Sequence, residues 1–228
     1  MSTSPLVGTL ETLLIAPGEA EFRTSPVSAA EFDLAGNRIV GSVRNGGQVI
    51  GADVRSPSFQ RRTPVLNRQS VSLISSADLD HIAAGLELDE RACLDGLRAM
   101  DAADGASRSE EPGDGESARL FLARCLGINV VIGKFEGDFL ALPPGIDLGP
   151  YDVDRRRFTG AAVMITRVNS PCAQPGAMVE RYYPRPIARA GKRFVQVAKG
   201  RRGYVGMVVK GGTMAVGQVM GFVPFGGR

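Results

Sequence analysis

Glycine and proline interrupt this chain so often that long regular elements have little room. Of its 228 residues, 29 are glycine and 14 are proline. Both residue types mark turns, so their density favours short strands joined by turns. Apolar runs at residues 128–133 and 161–168 have the length of such strands. The sequence therefore predicts a mainly β fold, a closed or partly closed β-barrel decorated by a few short helices.

Local signals place helices and turns within that plan. Ser75 and Ser76 end an alternating polar and apolar stretch and are good N-caps for a helix. The apolar residues of that helix fall on one face: Leu79, Ile82, Ala83 and Leu86. Asp89 is placed to cap a second short helix. Gly211–Gly212 is predicted to form a hairpin turn between two strands near the C-terminus.

One segment differs in composition from the rest of the chain. Residues 101–117 are acidic, small and without hydrophobic periodicity. Because such a segment buries little apolar surface, we predict a mobile insertion within a single domain that spans residues 1–228. Deleting residues 103–115 is then expected to leave the Tm nearly unchanged.

The bulk composition is typical of a globular protein, with 43% hydrophobic and 22% charged residues. The apolar runs are shorter than the roughly 18 residues needed to span a bilayer. The N-terminus shows no basic region followed by an apolar stretch, as a secretory signal would. These features predict a cytoplasmic protein with no membrane partner.

Three cysteines and one histidine limit the possible metal and redox chemistry. Cys93, Cys125 and Cys172 are far apart, no CxxC pair occurs, and His81 lies on the polar face of a predicted helix. A disulfide framework and a zinc site of Cys and His ligands are therefore not expected. Cys93 and Cys125 lie in apolar stretches and are predicted to pack in the core.

Cys172 has a different setting from the other two cysteines. Pro171 precedes it, and Pro175–Gly176 follows three residues later. Proline fixes its own φ and holds the preceding residue extended, and a Pro–Gly pair turns the chain. The thiol is therefore predicted to be displayed on a constrained turn, a setting that suits chemistry.

Charge is unevenly distributed along the chain. Residues 151–228 hold 14 Lys and Arg against 3 Asp and Glu, whereas the first 150 residues hold 13 against 21. A basic final third is often only a solvated surface. The sharper interpretation is an anion site for a phosphate, a phosphorylated cofactor or nucleic acid.

Several segments, taken in order, resemble the MOSC domain, the C-terminal domain of molybdenum cofactor sulfurases, in its small stand-alone bacterial form. They are residues 6–17, 34–41, 67–75, 127–133, 164–172 and 198–220. The Pro171–Cys172 pair and the "GRRG" sequence at residues 200–203 are the most specific parts. The resemblance extends from about Val7 to about Met220.

The resemblance implies a MOSC-like β-barrel whose members bind the molybdenum cofactor (molybdopterin) or handle sulfur for it. In the reductase members, the matching cysteine is a metal ligand, so Cys172 is the expected catalytic residue and molybdenum ligand. A thiolate suits a thiophilic metal, and arginines suit the phosphate of the cofactor. The expected cofactor-binding residues are Asn129, Arg167, Arg181, Gly200, Arg201, Arg202 and Gly203. Pyridoxal phosphate is not expected, because the chain has no room for a desulfurase domain.

Three residues depart from what the family often has. Asn37 and Gln218 stand where aspartate is common, and Asn169 stands where an arginine often precedes the cysteine. These departures leave molybdenum binding itself open.

These features favour an enzyme that acts through Cys172, either a molybdenum-dependent oxidoreductase of N-oxygenated substrates or a carrier of sulfur or cofactor. Its expected partners are a small-molecule substrate and a separate electron donor or cofactor-delivery protein, since neither ferredoxin cysteines nor a GxGxxG motif occurs. One alternative is a non-catalytic barrel that binds an anion or RNA, although 6% aromatic residues give little for RNA stacking. The other is cofactor-free thiol chemistry at Cys172.

Overall fold

The computed structural model describes residues 5–16, 24–42, 48–50, 64–66, 69–105, 112–113 and 115–224. The strands in these ranges are β1 (Leu6–Ile15), β2 (Ser25–Val27), β3 (Ala29–Asp33), β4 (Arg38–Ile39), β5 (Gln48–Ile50), β6 (Pro64–Leu66), β7 (Val71–Ser75), β8 (Val130–Gly133), β9 (Ile146–Asp152), β10 (Arg157–Phe158), β11 (Ala162–Val168), β12 (Tyr204–Lys210), β13 (Gly212–Ala215) and β14 (Val219–Pro224). The helices are α1 (Ser76–Leu86), α2 (Glu90–Ala103), α3 (Ser117–Leu126), α4 (Ala173–Tyr182) and α5 (Ala190–Val197), with a short 3-10 turn at Phe139–Ala141.

Seven of the strands close into a barrel, which confirms the predicted fold. Their order is β9-β11-β12-β7-β8-β1-β14, and β14 pairs back with β9. β7 and β8 run parallel, whereas the other neighbours run antiparallel. Closure satisfies the backbone hydrogen bonds that an open sheet leaves at its edges. The interior is filled by large apolar side chains, among them Leu10, Leu73, Ile132, Val163, Tyr204 and Phe222.

The five helices form a layer with its own apolar core beside the barrel. The predicted caps are confirmed: Ser75 Oγ accepts from Asp78 N at 3.1 Å, and Asp89 Oδ1 accepts from Ala92 N at 2.9 Å. The predicted apolar face of α1 is buried in this core as well. Within the described part of the chain, no helix has both the length and the apolar character that crossing a membrane requires.

The predicted hairpin at Gly211–Gly212 is wrong. β13 leaves β12 and pairs with β3, in a separate three-stranded sheet of order β13-β3-β4. Gly212 has a φ of +138°, which L side chains rarely adopt, and this conformation redirects the chain out of the barrel. Asn37, in the turn after β3, ties the small sheet to the barrel, because its Oδ1 accepts from Ser70 Oγ and Val208 N, each at 2.9 Å.

The predicted insertion at residues 101–117 needs new boundaries. Its first residues complete α2, and its last residue begins α3. Asp101 and Asp104 both accept hydrogen bonds from the buried guanidinium of Arg124, at 2.5 and 2.9 Å. These parts are therefore ordered members of the helical layer. Residues 106–111 and 114, on which the rest of the prediction falls, lie outside the described residues.

Candidate functional site

One end of the barrel collects most of the residues that the sequence singled out. The strand pairings place the starts of β1, β9 and β12 beside the ends of β7, β8, β11 and β14. We call this end the Cys172 rim. The segment that follows β11 and the one that precedes β12 therefore meet there, although they lie about 30 residues apart in sequence.

Cys172 occupies the N-cap position of α4, with an extended backbone (φ −133°, ψ 171°) and a half-buried side chain. The second turn predicted at Pro175–Gly176 is wrong, because both residues lie within the first turns of α4. Proline is tolerated there because the first N–H groups of a helix have no intrahelical acceptor. The thiol thus lies at the positive end of a helix dipole rather than on an isolated turn.

Arg202 is the cation that contacts this thiol. Its side chain is buried, and its Nη1 donates to Ser170 O at 2.8 Å and to Cys172 Sγ at 3.4 Å. Burial lowers the pKa of Arg202, and the neighbouring Cys172 sulfur opposes that shift. The guanidinium therefore holds both the backbone before the cysteine and the sulfur itself.

Gly203 fixes the segment that carries Arg202. Its φ is +68°, and a Cβ at this position would clash with the carbonyl oxygen of Leu73 in β7. Its own carbonyl accepts from Asn169 N at 2.9 Å. Gly203 therefore joins the two segments of the rim through its backbone, and Asn169 uses its backbone where the family often has an arginine side chain.

Arg201 faces α1 rather than the cysteine. Its Nη1 lies 3.2 Å from Asp78 Oδ1, and the other oxygen of that buried carboxylate is 2.5 Å from Ser75 Oγ. The Arg201 side chain keeps 43% of its surface exposed. It borders a cavity of about 340 Å³ at the rim, together with Lys134 and Phe135.

Asp78 and Ser170 are members of the site that the sequence interpretation missed. Ser75 was predicted as an N-cap, and an acidic residue three positions after such a cap is part of the capping-box pattern, so the signal for Asp78 was present. The carbonyl of Ser170 had no comparable signal, because a backbone oxygen leaves no mark in the sequence.

The side chain of Asn129 forms hydrogen bonds inside the barrel wall. Its Oδ1 accepts from Ser72 N and Ser72 Oγ, each at 3.0 Å, and its Nδ2 donates to Leu14 O at 3.2 Å. These bonds join β1, β7 and the segment before β8. The buried amide of Asn129 therefore joins three segments of the barrel wall, and none of these hydrogen bonds involves Cys172.

Three other expected cofactor-binding residues form no hydrogen bond with Cys172 in the part of the chain that the structure describes. Arg181 is exposed in the last turn of α4, about 13 Å along the helix from the cysteine, and its Cζ lies 5.2 Å from the Tyr182 ring centroid. Arg167 is exposed near the end of β11. Gly200 has a φ of +72°, and no atom lies within 4 Å of the position that a Cβ would take there. The structure therefore brings Arg202, and not Arg181, to the thiol.

Cys93 and Cys125 are buried in the helical layer, as the sequence predicted. Burial raises the pKa of Cys93 to about 12 and raises that of Cys125 well above its ordinary value. His81 is exposed on α1. Within the described ranges, no three Cys, His, Asp or Glu side chains converge as a metal site would require. Cys172 is thus the one of the three cysteines that is partly exposed.

Gln218, the third departure from the family pattern, has a local structural contact. Its Oε1 accepts from Ala215 N at 2.8 Å, which closes the turn between β13 and β14. That turn belongs to the end of the barrel opposite the Cys172 rim, because β14 runs toward the rim. The Asn37 and Gln218 contacts therefore lie within the scaffold and not beside the thiol.

Comparison with known proteins agrees with the fold. The model of the MOSC domain family matches residues 120–220, a range that includes Cys172 and Arg202. YuaD of Bacillus subtilis (strain 168), whose name refers to metal-sulfur cluster biosynthesis, is 28% identical over 208 residues, which are 91% of this chain and 85% of YuaD. The crystal structure of the YuaD protein from Bacillus subtilis superposes with a TM-score of 0.66 at 25% identity and covers 96% of this chain and 97% of that one. A crystal structure described as a hypothetical protein shares the fold, with a TM-score of 0.51 at 11% identity over 96% of this chain and 69% of its own. The chain therefore matches the MOSC domain family over residues 120–220, the part that holds Cys172 and Arg202.

Proposed function

We propose that this MOSC protein carries sulfur for the assembly of a metal cofactor, with Cys172 as the residue that accepts and releases the sulfur atom. The observation that carries the proposal is the contact of Arg202 Nη1 with Cys172 Sγ at the N-terminus of α4. The name of YuaD, which refers to metal-sulfur cluster biosynthesis, is consistent with this role. The resemblance to the sulfurases supports it as well.

The surroundings of the thiol suit a sulfur atom that carries negative charge. A thiolate, not a thiol, attacks sulfur, and a bound persulfide is also anionic. The Arg202 guanidinium and the positive end of α4 both lie against Cys172 and would stabilise either anion. The half-buried position lets a donor reach the sulfur while the loop holds it.

The transfer of sulfur from a persulfide to Cys172 needs no oxidant. The Cys172 thiolate attacks the outer sulfur of a donor persulfide, the S–S bond of the donor breaks, and the donor leaves as a thiolate. A new S–S bond then joins that sulfur to Cys172. An acceptor thiolate reverses the process by attacking the outer sulfur, and Cys172 leaves as the thiolate that Arg202 stabilises.

Direct binding of the molybdenum cofactor through Cys172 is the second candidate, and the residues at the rim fit it. The cofactor would supply a thiophilic metal, and Cys172 is the soft, half-exposed donor that such a metal prefers. Arg201 keeps an exposed guanidinium beside a rim cavity and could hold a phosphate. An oxidoreductase of N-oxygenated substrates built on this site would also need a separate electron donor.

The alternative of an RNA-binding barrel receives less support. Five buried aromatic rings in the described part of the chain pack against one another: Phe139 lies at 5.6 Å from Tyr204 and at 6.1 Å from Phe222, and Phe121 lies at 5.9 Å from Tyr183. Rings committed to a core cannot stack on the bases of a single strand.

The test is to treat the purified protein with a small persulfide and locate the added sulfur by mass spectrometry of the intact chain and its peptides. We expect one added sulfur atom on Cys172, retained in Cys125→Ser and absent from Cys172→Ser. Protein from a host that makes the cofactor is assayed in parallel for molybdenum and pterin. The second candidate would be favoured if the wild-type protein takes up no sulfur and if molybdenum is lost in Cys172→Ser but not in Cys125→Ser. Equal sulfur uptake by Cys172→Ser would refute the role of this residue as the sulfur acceptor, and unchanged molybdenum content in Cys172→Ser would refute its role as the metal ligand.

A further inference from the structure

The final part of the chain after Glu180 contains no acidic residue, and six of its ten cations fall into two groups. Three of them are held by acids of the helical layer: Arg185 by Asp89, Arg193 by Glu87 and Arg201 by Asp78. The second group is exposed and forms no ion pair with any residue that the structure describes. Its members are Arg189, Lys192 and Lys199.

These three cations lie on α5 or directly beside its ends. Lys192 lies in the first turn of the helix, Arg189 is its N-cap and Lys199 follows its C-cap. All three residues are exposed. The side of α5 that packs in the helical layer is buried through Ala190, Phe194 and Ala198. We call the three cations the α5 stripe.

The α5 stripe borders the Cys172 rim. Gly176 in α4 lies so close to the Gly191 backbone that a Cβ there would clash, and a Cβ on Gly191 would be 3.5 Å from Ala173 O. The start of α5 therefore packs against the first turn of α4, next to Cys172. After α5 ends, the chain returns to the same thiol through Arg202.

We propose that the α5 stripe is the docking surface for an acidic face of the protein that exchanges sulfur with Cys172. This inference rests on the proposed function, since it names the partner of the same thiol. Three unpaired cations beside a reactive sulfur complement clustered carboxylates, and such complementarity mainly raises the association rate and fixes the orientation. A protein is favoured over a nucleic acid because the aromatic rings described above are committed to the core.

The test uses a synthetic peptide whose cysteine carries a persulfide flanked by aspartates and glutamates, and a matched peptide with asparagines and glutamines. Each transfers its outer sulfur to Cys172 and leaves as a thiolate. For the acidic peptide, we expect Arg189→Gln/Lys192→Gln/Lys199→Gln to lower the second-order rate constant about tenfold at low ionic strength, with the difference shrinking at high salt. The rate with the neutral peptide should be the same in both proteins.

A control variant removes three charges elsewhere. Arg38→Gln/Arg155→Gln/Arg157→Gln alters β4 and the connection from β9 to β10, which lie away from the rim because β9 starts at the rim and Asn37, beside β4, contacts Val208 near the far end of β12. It should react with the acidic peptide at the wild-type rate. If the wild-type protein reacts equally fast with both peptides, or if the control variant loses as much rate as the α5 stripe variant, the docking surface is overturned. The proposed sulfur transfer would still stand. No transfer from either peptide would instead overturn the proposed function, and this inference with it.

Binding is measured separately by fluorescence anisotropy with a labelled acidic peptide that lacks the persulfide and with a labelled single-stranded RNA. Stripe-dependent binding of the acidic peptide supports the inference. Stripe-dependent binding of the RNA alone would overturn it in favour of a nucleic-acid partner.

Discussion

Two arginines of this protein are buried next to a cysteine, yet the two pairs have opposite characters. Arg124 lies in the helical layer, where its guanidinium donates to Asp101, Asp104 and the carbonyl of Thr24. It also lies beside Cys125, whose pKa burial raises in spite of this cation. Proximity to a positive charge is therefore not sufficient to make a cysteine reactive.

At the rim, the same pairing has a different outcome. Cys172 is half exposed and caps a helix, and its sulfur takes a hydrogen bond directly from Arg202. Arg124 is compensated by fixed carboxylates, so its environment does not depend on chemistry at a neighbour. Arg202 instead contacts the sulfur of Cys172, which gains and loses a second sulfur atom in the proposed function. Solvent access and the identity of the partner therefore distinguish the structural Arg124 from Arg202, for which we propose a function.

The largest expected effect is on the structural pair. Arg124→Ala leaves Asp101 and Asp104, whose side chains are 13% and 12% exposed, without their buried cation. We expect the free energy of unfolding to fall by about 3–5 kcal/mol, measured by urea denaturation. Arg119→Ala, which breaks an ion pair with the half-exposed Asp80, is the control and should cost less than about 1 kcal/mol. Similar costs for the two variants would contradict the structural role of Arg124.

The same network revises the expectation for the acidic segment. Deleting residues 103–115 would now remove Asp104 from Arg124, so a lowered Tm is expected where composition alone predicted little change. The matched variant Asp104→Asn keeps the chain length and isolates the lost charge. A deletion that leaves the Tm unchanged in a thermal melt would show that Asp101 alone suffices for Arg124.

Cysteine substitution separates the two regions next. Cys125→Ser places a hydroxyl in the apolar core, at a cost of about 1–3 kcal/mol if it stays unpaired, but should retain sulfur uptake per folded molecule. Cys172→Ser should keep most of the stability and lose sulfur uptake. Denaturation curves and mass spectrometry give the two readouts. A Cys125→Ser protein that folds normally but takes up no sulfur would reverse the assignment.

Alkylation rates sharpen the same contrast. Cys172 should react with a neutral alkylating reagent near neutral pH in the folded protein, whereas Cys93, whose pKa burial raises to about 12, should react only on unfolding. The sites are identified by peptide mapping after timed quenching. Rapid alkylation of Cys93 in the native protein would show that the helical layer opens more readily than its burial indicates.

The hydrogen bond from Arg202 predicts a further effect. Arg202→Gln removes the charge beside the sulfur and should slow alkylation of Cys172 about tenfold, because hydrogen bonds to an ionised acceptor are strong. Arg202→Lys keeps the charge and should recover part of the rate. An alkylation rate that is equal in all three proteins would mean that the contact positions the loop without affecting the sulfur.

The smallest effect is expected one contact farther out. Asp78→Asn weakens the ion pair with Arg201 and leaves the cap of α1 to Ser75, so we expect sulfur uptake to fall by less than about threefold and stability by about 1 kcal/mol. Asp95→Asn, which alters an exposed pair with Arg98, serves as the control. A loss of uptake as large as that of Arg202→Gln would make Asp78 part of the site in its own right.

Features that depend on a few neighbouring residues could be predicted from the amino-acid sequence. The caps at Ser75 and Asp89, the buried face of α1 and the strand character of β8 and β11 follow from local hydrogen bonds and hydrophobic periodicity. The core position of Cys93 and the different setting of Cys172 could also be predicted from the sequence. The turn-rich composition was enough to indicate a barrel, because closure of many short strands satisfies the backbone hydrogen bonds at the edges of the sheet.

Only the tertiary structure decided which distant segments meet. The pairing of β13 with β3 overrode a plausible local hairpin, and the pairing of β11 with β12 brought Arg202 to a cysteine 30 residues away. Barrel closure also placed Asn129 among backbone groups of β1 and β7, which committed its amide to the scaffold. Arg124 and Arg202 look alike in the sequence. Their roles differ because the folded chain surrounds one with carboxylates and sets the other against a half-exposed sulfur, and contacts of that range depend on the whole fold.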